Sequence, residues 1–442
     1  MTETAVQLGF TREAFDALLR SRNEPDWLTE LRRSAFKTFS ASSLPDRNEE
    51  EWMRTDIRLF HPDRFAPPAI GDAGGDEASD EIVEPLLSSG VQLAGRTAAV
   101  DGRTVVDQLE PKWADRGVLF GSLGRLVAQH GELLRPHLLA RAVDPHADYF
   151  SALHAAFWTG GTLLYVPRGV VVDEPFHMIS SLHDGRVDLG HTLVVLEEGA
   201  EATLLAETAS ADEQAGGLHC GAIELLVAPN ASLRYVNLQN WGSGVWHFAR
   251  QKALVDRDAR LQWTIGALGS RLAKVNQHVA LVGAGADVQV NGVMFTQGKQ
   301  HLSYHTLQHH EAPSCHSDLL YKAGLQDHSR TVWRGMIKVD REAQKTDGYQ
   351  RNDSLILNSN ARADSIPGLE IEADDVRCTH GSTAGRVDEE QVFYARSRGY
   401  TRQEAIRMIV TGFFQQIFDR ITIESVRDAL AEAIGRRIRE YE

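Results

Sequence analysis

Cysteine and histidine are the side chains here best suited to ligate a soft metal or carry sulfur, and they are unevenly placed. The 442 residues hold three cysteines, Cys220, Cys315 and Cys378, and eighteen histidines. Cys378 and His380 stand two apart in R-C-T-H-G. In an extended segment side chains repeat every second residue, so both point to one face. A soft thiolate beside an imidazole suits a metal or cluster; a buried thiol beside a hydrogen-bonded histidine fits the same spacing. A second group lies in H-L-S-Y-H-T-L-Q-H-H-E-A-P-S-C-H, from His301 to His316, with five histidines and Cys315. If that segment is a strand, His301, His305 and His309 share a face, as a nitrogen-rich metal site or a stacked polar ladder.

Other chemistries are excluded by what the sequence lacks. Three scattered cysteines with no C-x-x-C make neither a disulfide framework nor a zinc or thiol-exchange pair. There is no G-x-S-x-G elbow, Walker A loop or H-E-x-x-H helix, so no nucleotide site is expected on this chain. The polar residues at 332–347 and 350–357 form no catalytic set. A net charge of -15 opposes non-specific contact with nucleic acid or an anionic membrane. The opening M-T-E-T-A-V-Q has no basic-then-apolar leader pattern, and no later run reaches the roughly eighteen apolar residues of a membrane span. A cytoplasmic protein is expected.

The elements that must position these residues follow from periodicity. Apolar spacing predicts helices over 11–20 and 27–39, and a solvated helix face pinned by Trp52 over 49–60. The stretch 66–81, rich in Pro, Gly and acid, predicts a mobile loop. Strand signals follow at 91–106, and a helix at 122–140 with a kink at Pro136. Near 148 the texture changes to dense β-branched residues, which marks a domain boundary.

Beyond that boundary the chain repeats. L-E-E-G-A-E-A-T-L, V-A-P-N-A-S-L-R-Y, V-D-R-D-A-R-L-Q-W and V-G-A-G-A-D-V-Q-V each run from an apolar stretch through a turn to an alanine and an alternating strand. The alanines, Ala200, Ala231, Ala259 and Ala286, are 31, 28 and 27 residues apart. That period without intervening helices predicts a β-solenoid over 148–386. A helical region over 1–147 and a helical domain over 387–442 would flank it, well placed to cap its open edges. In the last region Thr401 and Glu404 have the spacing of a capping box. Ile406, Ile409, Val410, Phe413, Phe414, Ile417, Phe418 and Ile421 then form a stripe at helical spacing, to be buried on the solenoid with a groove left for a partner.

Several long matches carry a family resemblance. W-R-G-M-I-K-V-D-R-E-A-Q-K-T-D-G-Y-Q-R-N (333–352), L-E-I-E-A-D-D-V-R-C-T-H-G-S-T-A-G-R (369–386) and D-E-E-Q-V-F-Y-A-R-S-R-G (388–399) resemble the SufB/SufD family of iron-sulfur cluster assembly scaffolds. The H-x-x-P-x-C at 310–315, L-Y-K at 320–322 and A-A-F-W-T-G-G-T-L-L-Y-V-P-R-G-V at 155–170 add to it. A-Q-K-T-D-G-Y-Q and C-T-H-G-S-T are closer to SufD, whereas M-I-V-T-G-F-F at 408–414 reads partly like SufB.

The resemblance implies a mainly β fold, a right-handed parallel β-helix between helical regions. It further implies a non-catalytic scaffold that pairs edge to edge with SufB and binds the SufC ATPase, where ATP hydrolysis resides. A transient iron-sulfur cluster would form at the SufB interface, with His380 as a shared ligand and Cys378 beside it. Phe393, Tyr394, Arg398, Phe413 and Phe414 become candidates for ATPase docking. The alternatives are a SufB-type paralogue, a polysaccharide-active β-helix enzyme, or a self-contained metalloprotein built on 301–316. In isolation a homodimer across the solenoid edge is a further expectation.

Overall fold

The computed structural model describes residues 9–67 and 82–438. Apart from Ala66 and Pro67, the loop expected at 66–81 lies outside the described residues.

From His191 onward strands alternate between two sheets, one coil at a time. One sheet stacks His191–Leu196, Gly216–Val227, Gly244–Val255, Leu272–Leu281, His301–His310, Arg330–Val339 and Arg362–Ile371. The other stacks Glu201–Ser210, Ser232–Asn240, Arg260–Ala267, Asp287–Thr296, His316–Leu325, Asp347–Ile356 and Arg377–Arg386. Neighbours within each sheet are parallel, which makes the chain a mainly β, parallel solenoid of about eight turns with helices on both flanks.

The repeat marks where each coil turns. Ala200, Ala231, Ala259 and Ala286 are buried, and the residue before each, Gly199, Asn230, Asp258 or Gly285, has a positive φ between 56° and 74°. Left-handed backbone favours Gly, Asn and Asp, and a small side chain then fits inside the corner. The ladder continues after the letters diverge: Ser314 and Lys345 have φ of 60°, and Cys315 and Thr346 take the buried place. Cys315 is thus a corner residue, and its thiol donates to the Gly283 carbonyl at 3.3 Å.

Inward side chains form one continuous core that includes Leu204, Tyr235, Trp263, Val275, Val290, Tyr304, Tyr321 and Trp333. The outer faces are covered separately. Helices Arg12–Ser21, Asp26–Ala41, Leu123–Leu134 and Tyr149–Phe157 cover the first sheet through Phe15, Phe36, Phe150 and Phe157 against Leu193, Leu218 and Phe248. Helices Glu389–Ser397, Arg402–Phe418 and Glu424–Arg437 cover the second. Thr401 and Glu404 make the expected capping box, and Ile406, Val410, Phe414, Ile417, Phe418 and Ile421 are buried. Gly266 and Gly324 let those helices close in: a Cβ would lie 2.7 Å from Leu430 Cδ2 at the first and 3.4 Å from Phe414 Cε2 at the second.

Two buried carboxylates tie the flanking segments to the solenoid. Glu207 accepts from the backbone of Leu86 and Leu87 at 2.8 Å and bonds His177 at 2.9 Å. Glu224 accepts from Leu139 and Val143 at 2.7 and 3.0 Å and bonds His191 at 3.1 Å. A buried carboxylate is tolerated when its lone pairs are filled in this way.

Two local expectations change. Residues 49–60 are turns rather than a helix; Trp52 and Thr55 are buried, so the segment straps the first sheet, with Thr55 Oγ1 donating to Ser303 Oγ at 2.9 Å. The first 147 residues, expected as a helical region with strand signals at 91–106, supply a further strand beyond those signals, at Leu119–Ser122. Gly95–Val100 pairs in parallel with Phe176–Leu182 and antiparallel with Arg103–Leu109, and Leu119–Ser122 runs antiparallel to Gly161–Val166. These reversed strands close the N-terminal end, while the helices lie on the faces rather than across the edges. Among the described residues the C-terminal end has no such reversed strand, and Arg362–Ile371 and Arg377–Arg386 are each bonded on one side only. Among the described residues no helix is long and apolar enough to cross a membrane.

Candidate functional site

The open end carries Cys378 and His380. The register sets Cys378 beside Gly348 and His380 beside Gln350. Gly348, Gln350 and Asn352 alternate inward and are buried, so Cys378, His380 and Ser382 continue the inward face of the solenoid by one rung. No further rung covers them; His380 is therefore exposed although it belongs to the inner face. The expectation that the two share a strand face holds, at the roughly 7 Å separation of alternate strand residues.

Cys378 is half-buried against Ile337, Val339, Ala343 and Ala373. Burial raises its pKa above the ordinary thiol value and Asp347 adds to the rise, against a hydrogen bond from the Gly348 backbone. At neutral pH the group is a thiol, and a cation arriving from outside is needed to make it a ligand. Gly348 leaves the space between Cys378 and the buried His310 open: its Cβ would lie 3.4 Å from Cys378 Sγ and 3.6 Å from His310 Nε2. His310 bonds Ser317 Oγ at 2.8 Å, and burial lowers its pKa to about 4, helped by His309 and His316. It is a neutral imidazole within the chain's own hydrogen bonding.

The neighbouring edge strand completes the rim. Ala363, Ser365, Pro367, Leu369 and Ile371 follow the inward positions of Thr331, Trp333, Gly335, Ile337 and Val339. Leu369 and Ile371 are 38 % and 40 % exposed, which is unusual for inward-facing aliphatic residues. Parallel strands bond alternately to either neighbour, so about half of the backbone groups of each terminal strand face outward unpaired. Two ten-residue edges, an apolar rim and a Cys/His pair thus lie at one end of the molecule.

A polar path links this end to the C-terminal helices. Thr383, on the terminal strand, donates to Asp353 Oδ1 at 2.6 Å. Asp353 also receives Arg351 Nε at 3.0 Å and lies 3.9 Å from Lys322 Nζ. Lys322 in turn donates to the Phe413 carbonyl at 2.8 Å and sits 4.7 Å from that ring. Sequence reasoning noted L-Y-K at 320–322 only as letters; the register that puts Lys322 beside Asp353 is what gives it a place.

The docking candidates divide. Phe393 and Tyr394 are 72 % and 61 % exposed, and Arg398 is exposed, its guanidinium 4.8 Å over the Tyr394 ring. Phe413 is half-buried on Lys322. Phe414 is fully buried among Phe295, Leu320 and Leu355, so its side chain is removed from any surface: the helical stripe that nominated it is the face packed on the sheet.

The histidines at 301–316 do not converge. His301, His305 and His309 share the outer face of their strand, but successive ones are four residues apart, about 13 Å in a strand and too far to share one ion. His309 bonds Asp340 and Glu311 at 2.9 and 3.1 Å, and His316 bonds Asp287 at 2.9 Å. Among the described residues no group of three or more His, Cys, Asp or Glu could hold a metal ion. Cys220 and Cys315 are buried, with the pKa of each raised chiefly by desolvation.

Comparison with known proteins bears on this geometry. Residues 178–413 match the family profile described as SUF system FeS cluster assembly, SufBD core domain, and residues 93–178 match the SufBD protein N-terminal region. An iron-sulfur cluster assembly SufBD family protein of Staphylococcus saprophyticus is 27 % identical over 430 residues, covering 94 % of this chain and 90 % of its own length. A Staphylococcus epidermidis protein of the same description shows the same figures, and one from Staphylococcus aureus is 26 % identical over 428 residues.

Proposed function

The chain belongs to the SufBD family of the SUF iron-sulfur cluster assembly system, and from that premise we propose that it is the SufD-like scaffold of a complex with SufB and the SufC ATPase. It is a cytoplasmic, non-catalytic subunit in this reading. The observation that carries it is the uncovered terminal rung: two unpaired parallel edges with Cys378 and His380 on the inward face. Edge strands of this length are templates for another chain. A second solenoid docked there would bury Leu369 and Ile371 and bring its own ligands to His380. The nascent cluster is cargo shared across that interface, and His380 supplies one ligand of a set the partner completes.

ATPase binding is assigned to the exposed C-terminal helices, where Phe393, Tyr394 and Arg398 form an aromatic and cationic surface. Tyr and Arg are enriched at such contacts, as are other aromatics. Of the letters at 408–414 that read like SufB, Val410 and Phe414 are buried on the sheet, whereas Met408, Thr411 and Gly412 are exposed. The family assignment takes the place of the polysaccharide-active alternative.

The docking surface is tested by co-expression with the two partners. Phe393→Ala with Tyr394→Ala should lose the ATPase in a pull-down while SufB stays bound. Retention of the ATPase would move its docking site elsewhere. Deleting 387–442 would be a poorer test, because it would bare Leu205, Val236, Val293, Phe295 and Leu320 to water.

A further inference from the structure

On the outer face of the first sheet, beside the strap at 49–60, lies a dense group of basic side chains. Arg250 and Lys252 come from Gly244–Val255, Lys274 and His278 from Leu272–Leu281, His305 from His301–His310, and Arg334 from Arg330–Val339. The register puts Arg250, Asn276, His305 and Arg334 in one row and Lys252 beside His278 in the next. Rungs are about 4.8 Å apart, so these groups are near neighbours. They border an open cleft of about 570 Å³, within the range of small-ligand sites. Lys274 lies in the adjoining recess, next to Arg250 and Asn276.

Five carboxylates, Glu50, Glu51, Asp144, Asp148 and Glu370, match the five bases Arg250, Lys252, Lys274, Arg334 and Lys338 in number, but among the described residues Lys252 and Lys274 have no carboxylate within ion-pair distance. Asp148 takes Arg250 at 2.5 Å. Glu50 takes Arg334 at 2.5 Å, but it is 76 % exposed on the rim, where such a pair contributes little. Glu51, Asp144 and Glu370 are the other acids there, and Glu370 holds Lys338 at 2.9 Å. The side chains of Lys252 and His305 have no hydrogen-bond or ion-pair partner among the described residues. Lys274 is 3 % exposed, and its amine has only Asn276 Oδ1, at 3.1 Å, and the Trp52 ring, at 5.5 Å.

Like charges on adjacent rungs repel. Burial lowers the Lys274 pKa to about 7, with Arg250 and Arg334 lowering it further against Glu51 and Asp148. His305 is lowered to about 3 by burial, then by Lys274 and Arg334. His278 is lowered to about 3 by burial, then by Lys252, His309 and Arg250.

We propose that this cleft binds a small phosphate-class oxyanion, held by Lys252, His305 and Arg334 beside the buried Lys274. The anion would displace Glu50 from Arg334, accept from the neutral imidazole and restore a full charge to Lys274. Free phosphate and a phosphate ester offer the same chemistry to these donors. The cleft reaches the edge strand through Glu370 but uses neither Cys378 nor His380, and it does not depend on the scaffold reading.

Isothermal titration of the purified full-length chain at low salt and about pH 8, with inorganic phosphate and with glycerol phosphate, tests it. Saturable binding that weakens as salt rises is expected, with proton uptake visible as a heat that depends on the buffer. Tighter binding of the ester identifies an esterified ligand, and equal or tighter binding of phosphate identifies the free ion. Lys252→Ala and His305→Ala should each weaken binding about tenfold, a typical loss for one charge-assisted contact, while melting without anion stays unchanged. Glu50→Gln should tighten it by removing the competitor. No saturable heat with either anion, or wild-type affinity in all three variants, would overturn the proposal.

Discussion

The path from the terminal strand to the C-terminal helices makes a local prediction for Thr383→Val. The substitution keeps the side-chain shape and removes the hydroxyl that donates to Asp353 at 2.6 Å. A hydrogen bond to a charged group contributes about 1.5–3 kcal/mol. Thr383 is exposed and Asp353 keeps Arg351 and Lys322, so the lower end applies, about 1.5 kcal/mol. The terminal strand is bonded on one side only and opens locally, so the loss falls on its own opening equilibrium. Backbone hydrogen exchange across 377–386 should quicken roughly tenfold. Exchange in Ser232–Asn240, inside the stack, should stay as it is. Asp353→Asn should act in the same direction and also quicken exchange near Phe413, because the buried Lys322 loses its carboxylate. Unchanged exchange at 377–386 in Thr383→Val, or equal acceleration in both strands, would refute the link between edge and helix.

Two further substitutions test the packing and the charge of the two faces. Phe414→Ala empties a site that is 0 % exposed, and a cost of about 3–5 kcal/mol is expected, read as earlier loss of the C-terminal helices by proteolysis or denaturant. Lys274→Met should stabilise the chain at pH 6. The folded amine has its pKa lowered to about 7 from 10.5, so the folded state carries the charging penalty in full below pH 7 and sheds it as pH rises toward the unfolded value. The advantage of Lys274→Met should therefore be a few kcal/mol at pH 6 and fade between pH 7 and about 10. A gain that grows with pH would contradict that sign.

Much of the fold was legible because a solenoid writes its period into the chain. Four corner alanines gave the repeat; Cys315 and Thr346 hid its later coils, because only the left-handed residue and the buried corner are required there. The stripe from Ile406 to Ile421 announced a packed helix, but no single stripe says which aromatic is left over, and Phe414 went inward while Phe393 stayed out. The face shared by Cys378 and His380 followed from spacing. That it is the inside of an uncovered coil depends on which strand is last, and this is a property of the whole stack. Lys322, Asp353 and Thr383 are far apart in sequence and meet only through register, as do Arg250, His305 and Arg334. Of the strands at the N-terminal end, Gly95–Val100 and Arg103–Leu109 fall largely on the strand signals at 91–106, whereas Leu119–Ser122 was masked by the helical texture that follows it.

The central claim is that His380 is half of a site completed across the terminal edge. Iron and acid-labile sulfide measured on the complex co-expressed with SufB and SufC, with His380→Ala beside the unaltered chain, tests it most directly. The account predicts an assembly of unchanged mass and subunit content with severalfold less iron and sulfide. Cluster content equal to that of the unaltered complex would contradict it.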